Sequence, residues 1–145
     1  MSFFIEFIYE DNLIFERISK LINYVKKKKD LNKLDCDDPT ILDFYNKDEL
    51  NYFWWPTEQE IKDFWEFYYS TPEESRYLHL IDKPWDFESV IDAITTGEYE
   101  IIGCEIGENG IGRLCFEPWS YPYGGIEPLE QLIKPFNIKI IRVYK

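Results

Sequence analysis

Apolar and polar positions change period several times along the chain, and each change marks an element. Residues 3–9 alternate, with Phe3, Ile5, Phe7 and Tyr9 on one side and Glu6 on the other, which predicts a β-strand with one buried face. After Asp11 or Asn12, either of which can cap a helix, the period lengthens: Ile14, Ile18, Leu21, Ile22 and Val25 form one helical stripe. The lysine run 26–29 closes that helix, where cations are favoured by the helix macrodipole. Residues 30–40 are polar and turn-like, and a short helix is expected around Leu42–Leu50. Thr57 and Glu60 make a capping box, so a helix should begin just after Pro56 and run to about Ser70. Thr71-Pro72-Glu73-Glu74 repeats the capping chemistry and opens a turn. Asp86 caps residues 87–97, with Val90, Ile91 and Ile94 inward and Gly97 ending the helix.

From Tyr99 onward the pattern is a hairpin, a corner, a helix and a strand. A three-residue loop Glu108-Asn109-Gly110, with Gly110 left-handed, sorts the hairpin faces cleanly. Cys104 then opposes Leu114, Ile102 opposes Phe116, and Glu105 meets Arg113 on the other face. In that register Cys104 and Cys115 lie on opposite faces. Pro118, Pro122 and Gly124-Gly125 force an irregular corner bearing Trp119, Tyr121 and Tyr123. Ile126, Leu129, Leu132 and Ile133 make a short helix that Pro135 stops. In the last strand Ile138, Ile140, Arg142 and Tyr144 share one face and Lys139, Ile141 and Val143 the other, with pairing expected beside a hairpin strand. The fold class is α+β: a single domain spanning 1–145, an antiparallel sheet of about four strands with helices mainly on one face, and a C-terminal β-hairpin–α–β unit.

Helix 57–70 departs from an ordinary amphipathic wheel. Ile61, Phe64, Trp65 and Tyr68 form the usual stripe, and Phe67 and Tyr69 widen the apolar arc to roughly 200°. Asp63 and Glu66 fill the remaining side, with Glu60 at its edge. Two placements satisfy such a wheel: a helix wedged between two layers of core, or a partly exposed aromatic-acidic surface for a partner. Trp54 and Trp55 just ahead suit both, because tryptophan serves cores and binding hot spots alike.

Composition narrows the function classes. The chain is 45% hydrophobic and 19% aromatic, outside the range of compositional disorder. No run approaches the roughly 20 apolar residues of a membrane span, and the opening MSFFIEFIYE lacks a basic leader and cleavage site, so a soluble, cytoplasmic chain is expected. The net charge of −12 is concentrated: residues 51–100 hold 12 acids and 3 bases, whereas residues 101–145 hold 5 of each. An acidic surface repels nucleic acid and anionic lipid and steers basic partners. Three cysteines, Cys36, Cys104 and Cys115, are expected as reduced thiols, since their number is odd and no C-x-x-C spacing occurs.

Catalytic and metal chemistry find little support. Asp35, Asp37 and Asp38 lack the spacing, central glycine and closing Glu of a calcium loop, and Pro39 stands where that loop would continue. No metal or other cofactor is expected. The lone histidine, His79, lies between Leu78 and Leu80 and reads as structural or surface. There is no glycine-rich phosphate loop, and Glu105, Glu108 and Glu117 belong to a hairpin.

The string RLCFEPWSYPYGGIEPLEQLIKPF, under a fifth of the chain, resembles the C-terminal part of small uncharacterised acidic bacterial proteins of the toxin-immunity type. That resemblance implies a non-catalytic protein that neutralises a toxin domain. The leading expectation is therefore an acidic protein-binding protein with a basic partner, contacted through Glu60, Asp63, Glu66, Phe67, Glu73 and Glu74. The alternative is a small-molecule or peptide-binding module with Trp119, Tyr121 and Tyr123 as one wall. A structural or regulatory domain is a third reading, on which the sequence carries no distinguishing mark.

Overall fold

In the computed structural model, which describes residues 3–76, 84–119 and 125–144, four strands form one antiparallel sheet. They are β1 (Phe3–Ile8), β2 (Tyr99–Ile106), β3 (Ile111–Pro118) and β4 (Lys139–Tyr144), in the order β2-β3-β1-β4. The helices whose bounds are described are α1 (Asn12–Asp30), α2 (Pro39–Leu42), α3 (Lys47–Leu50), α4 (Glu58–Ser70), α5 (Phe87–Thr96) and α6 (Glu127–Ile133), the last followed by a 3-10 turn, Lys134–Phe136; residues 73–76 are helical as well. This is the expected single α+β domain. Among the described residues no helix is long and apolar enough to cross a membrane.

The core forms where the predicted stripes meet. Ile5, Phe7, Ile101, Leu114 and Phe116 face inward from the sheet and join Ile18, Leu21, Ile22 and Val25 of α1. Val90, Ile91 and Ile94 of α5 and Leu129, Leu132 and Ile133 of α6 complete the same cluster. Asp11 caps α1, its Oδ1 accepting from the Ile14 amide at 3.0 Å. The lysine run is used within the fold. Lys26 pairs with Asp30 and Glu100, and Lys29 donates to the Gly97 carbonyl at 2.8 Å.

Three expectations are corrected. The last strand pairs with β1, not with a hairpin strand, so the N-terminal strand sits second from one edge of the sheet. The reason lies on the outer face, where Glu6 meets Arg113 of β3 on one side and Arg142 of β4 on the other. Residues 42–50 do not form one helix. α2 ends at Leu42 and a separate capping box at Asn46 and Glu49 starts α3. Pro135 does not stop the C-terminal helix cleanly, because the chain tightens into the 3-10 turn and leaves through Asn137 at φ 58°.

The hairpin register holds next to the turn: Cys104 opposes Leu114 and Glu105 opposes Arg113, with Asn109 and Gly110 both at positive φ. Past Gly103 it shifts. A β-bulge leaves Ile102 outside the ladder and exposed, and Ile101, not Ile102, opposes Phe116. Gly103 at φ 141° permits the bulge. β4 repeats the device. Its ladder shifts at Ile141, so Ile140 opposes Phe7 while Arg142 opposes Glu6, and the two do not share a face as simple alternation requires. Cys104 and Cys115 do lie on opposite faces, and all three thiols are free.

On the outer face the Arg113 Nε donates to Glu6 Oε2 at 2.8 Å, and the Arg142 Nη2 reaches the same oxygen at 3.5 Å. Both guanidiniums lie against the Phe4 ring, which stacks on Tyr144. The Arg113 hydrogen bond, outweighing burial and helped by Arg142, holds the Glu6 carboxyl below its usual pKa. A depressed carboxylate stabilises the fold above its unfolded pKa and loses that contribution as pH falls through the folded value. Glu6→Gln should therefore lower the urea midpoint at pH 7, with the difference from wild type vanishing in the acid range below about 4.5. A difference that stays constant to pH 3 would rule out the charge as its source. At the bulge, a Cβ on Gly103 would meet only the Asn23 side chain, at 3.7 Å. Gly103→Ala should thus cost about 1–2 kcal/mol of backbone strain in denaturant titration, and an unchanged midpoint would refute the strain.

Candidate functional site

The chain between α3 and α4 is fastened before it reaches the surface. Phe53 is buried against Tyr45 (5.6 Å between ring centroids) and Phe87 (5.3 Å), both nearly edge-to-face. One residue on, the Trp54 amide donates to the Trp85 carbonyl at 3.0 Å, and Trp54 forms a parallel bridge with Asp86. Trp55 stacks on Phe87 at 5.7 Å and donates its indole N–H to the Leu50 carbonyl at 2.8 Å. Pro56 follows, and Thr57 starts α4 with the predicted capping box.

α4 takes the exposed placement. None of its residues is buried. Ile61 is 42% exposed, Trp65 46%, Phe67 49% and Tyr69 70%. Its aromatics cover one another instead: Phe64 stacks on Tyr68, Trp65 stacks on Tyr69, and Phe64 meets Trp54 at 5.8 Å. Arg76 finishes the helix, donating from Nε to the Tyr68 and Thr71 carbonyls and lying over the Tyr68 ring at 4.7 Å.

Between α4 and α5 lies a groove of about 820 Å³. Ile61, Phe64 and Trp65 form one wall, Trp54, Trp55, Trp85 and Phe87 the base, and Glu88, Ser89 and Asp92 the far side. Cys36, Asp37 and Leu42 close one end. Among the described residues no basic side chain lines it. The Cys36 Sγ and carboxylate oxygens of Glu88 and Asp92 lie within 4.8 Å of one another, as do those of Asp35, Cys36 and Asp37. Burial first, then Asp92, Asp37 and Glu88, push the Cys36 thiol up to about 11. The arrangement can attract a cation and an apolar group together, and this thiol is no nucleophile at neutral pH.

The structure distributes the residues singled out from sequence as follows. Glu60, Asp63, Glu66 and Phe67 share α4, and Glu73 and Glu74 follow just beyond it, all exposed. Asp63 and Glu66 lie opposite Ile61, Phe64 and Trp65 on the helical wheel, turned away from the groove; Asp63 accepts from Gln59 at 2.8 Å. Trp119 is exposed and lies 5.3 Å from the Lys29 ammonium, far along the chain from the groove-lining residues. Tyr121, Tyr123 and His79 lie outside the described residues. Sequence reasoning missed Asp37, Glu88 and Asp92 as a group. Glu88 and Asp92 stand four apart on the polar side of α5, a legible spacing. Asp37 joins them only through tertiary folding.

In comparisons with known proteins, no family model matches the chain, and no curated protein or solved structure matches it either.

Burial raises Cys104 to about 12 and Cys115 to about 11 as well. A raised thiol pKa means less thiolate, the reactive form. Iodoacetamide at pH 8 should therefore label the folded chain at least about a hundredfold more slowly than the urea-unfolded chain. Glu88→Gln/Asp92→Asn should speed labelling of Cys36 alone. Rapid labelling of Cys36 in the folded wild type would contradict this picture.

Proposed function

We propose that the chain is a non-catalytic, cytoplasmic binding protein that takes a basic protein partner on the acidic, aromatic surface built around α4. The observation that carries this reading is that α4 buries none of its residues although it presents Ile61, Phe64, Trp65, Phe67, Tyr68 and Tyr69. Contiguous exposed aromatics rimmed by charge are a feature of protein-binding surfaces. Glu60, Asp63, Glu66, Glu73 and Glu74 give that rim one sign. Acidic charge speeds encounter with a cationic partner, and aromatics that become buried slow its dissociation.

The specific form that fits the charge, the size and the C-terminal resemblance is an immunity protein. It would cover a basic toxin domain and block that domain's active site or substrate groove. The test is isothermal titration of the purified chain against a basic toxin domain encoded next to it in its genome, sought by inspecting the gene neighbourhood. A stoichiometric complex is expected. Reversing Glu60, Asp63 and Glu66 to lysine should weaken it about a hundredfold and flatten its dependence on salt. Absence of any complex, or a complex indifferent to the reversal, would sink the proposal.

A further inference from the structure

We infer that the groove between α4 and α5 is the anchoring half of this interface and accepts a short basic-apolar segment of the partner. One Lys or Arg side chain of that segment is directed to Asp37, Glu88 and Asp92, and an aromatic or aliphatic neighbour lies among Trp54, Trp65 and Trp85. The inference rests on the protein-binding reading of α4 and adds the face and the chemistry of the contact.

Charge complementarity identifies the occupant. Asp37, Glu88 and Asp92 line an aromatic cleft that, among the described residues, no Lys, Arg or His lines. Among the described residues, the ion pairs involve none of the three. Glu88 and Asp92, within 4.8 Å of one another, favour a cation between them, and the tryptophans that share the lining favour the same charge. A bare metal ion would use the carboxylates and leave the aromatic walls wet, whereas a Lys or Arg on a peptide brings methylenes and a neighbouring side chain to cover them. The volume, about 820 Å³, falls within the range of roughly 300–1,000 Å³ of clefts that enclose a ligand. A second copy of this chain is a poor occupant, since a net charge of −12 would set acid against acid.

The division of labour follows from geometry. Asp63 and Glu66 lie on the outward side of α4, where they act on approach. The groove acts on residence. The two halves are therefore separable by mutation.

The experiment titrates the full chain with a capped ten-residue peptide of Lys, Phe and Ser, and with the same peptide carrying Glu for Lys. Tryptophan fluorescence reports on the groove, because four of the five tryptophans line it. A saturable change with the Lys peptide and none with the Glu peptide is expected. Glu88→Gln/Asp92→Asn and, separately, Trp65→Ala should each weaken the Lys peptide about tenfold. Reversal of Glu60, Asp63 and Glu66 should change it less than about threefold. All the altered side chains are exposed or half-exposed, so circular dichroism should report an intact fold in each variant. No response to the Lys peptide, equal response to both peptides, or indifference to both groove variants overturns the inference. So does a full response to calcium chloride alone with the peptide inert, which would assign the acids to a cation. If the whole partner binds both groove variants like wild type but not the reversal, the groove falls and the α4 reading stands. If the partner does not bind at all, the α4 reading falls, and the peptide titration still judges the groove.

Discussion

The edge-to-face contact of Phe53 with Phe87, under the backbone bridge from Trp54 to Trp85 and Asp86, is the constraint on which the rest of the surface depends. It joins two segments more than thirty residues apart in sequence and sets the spacing of the groove they form. Tyr45 holds the first segment from below. It is buried, it packs on Phe53 and Phe136, and its hydroxyl donates to the Leu132 carbonyl at 2.5 Å. Arg17 secures the preceding turn, donating to both Glu49 carboxylate oxygens and, at 3.1 Å, to the Phe44 carbonyl. Each large aromatic buried here contributes on the order of 1.5–3 kcal/mol. The floor of the groove is thus part of the core, while its α4 wall is not.

That contrast explains how a helix can carry so many aromatics without sinking into the protein. α4 has its own means of support: the Thr57–Glu60 capping box at one end, Arg76 on the last carbonyls at the other, and rings stacked along its length. Capping alone is worth roughly 0.5–2 kcal/mol. Trp54 packs against Phe64 from the core side, while Ile61, Trp65, Phe67 and Tyr69 of the helix stay exposed.

Much of the scaffold was legible in the sequence, because caps and apolar periods are local signals. The Asp11, Thr57 and Asp86 caps, the α1 and α5 stripes and the hairpin turn all stand where the pattern puts them. The two face assignments that fail share one cause. A bulge adds a residue that pairs with nothing, so alternation read through Ile102 or Ile141 assigns the wrong face from that point on. Gly103 was the available clue in β2; β4 has no glycine to announce its shift. The place of β1 between β3 and β4 was written in one residue, Glu6, an acid in an apolar strand whose two arginine partners come from either side. The groove was the least legible, since its acidic end draws on residues 37, 88 and 92 and its aromatic base on residues 54, 55, 85 and 87. No periodicity within one element encodes that meeting.

The distribution of charge separates what holds the fold from what is left to act. Among the described residues the ion pairs tie scaffold elements together: Glu6 to Arg113 and Arg142, Glu49 to Arg17, and Asp30 and Glu100 to Lys26. None lies on α4 or in the groove. Charges on the outer side of α4 stand in water, where a Debye length of about 8 Å at physiological salt mutes their repulsion. Beside the groove, Glu88 and Asp92 lie within 4.8 Å of one another and of the Cys36 thiol, well inside that length. Among the described residues, the groove lining supplies them no counter-charge. The excess of acids in residues 51–100 therefore has two parts, one on the outer side of α4 and one beside the groove, where the proposed cation would sit.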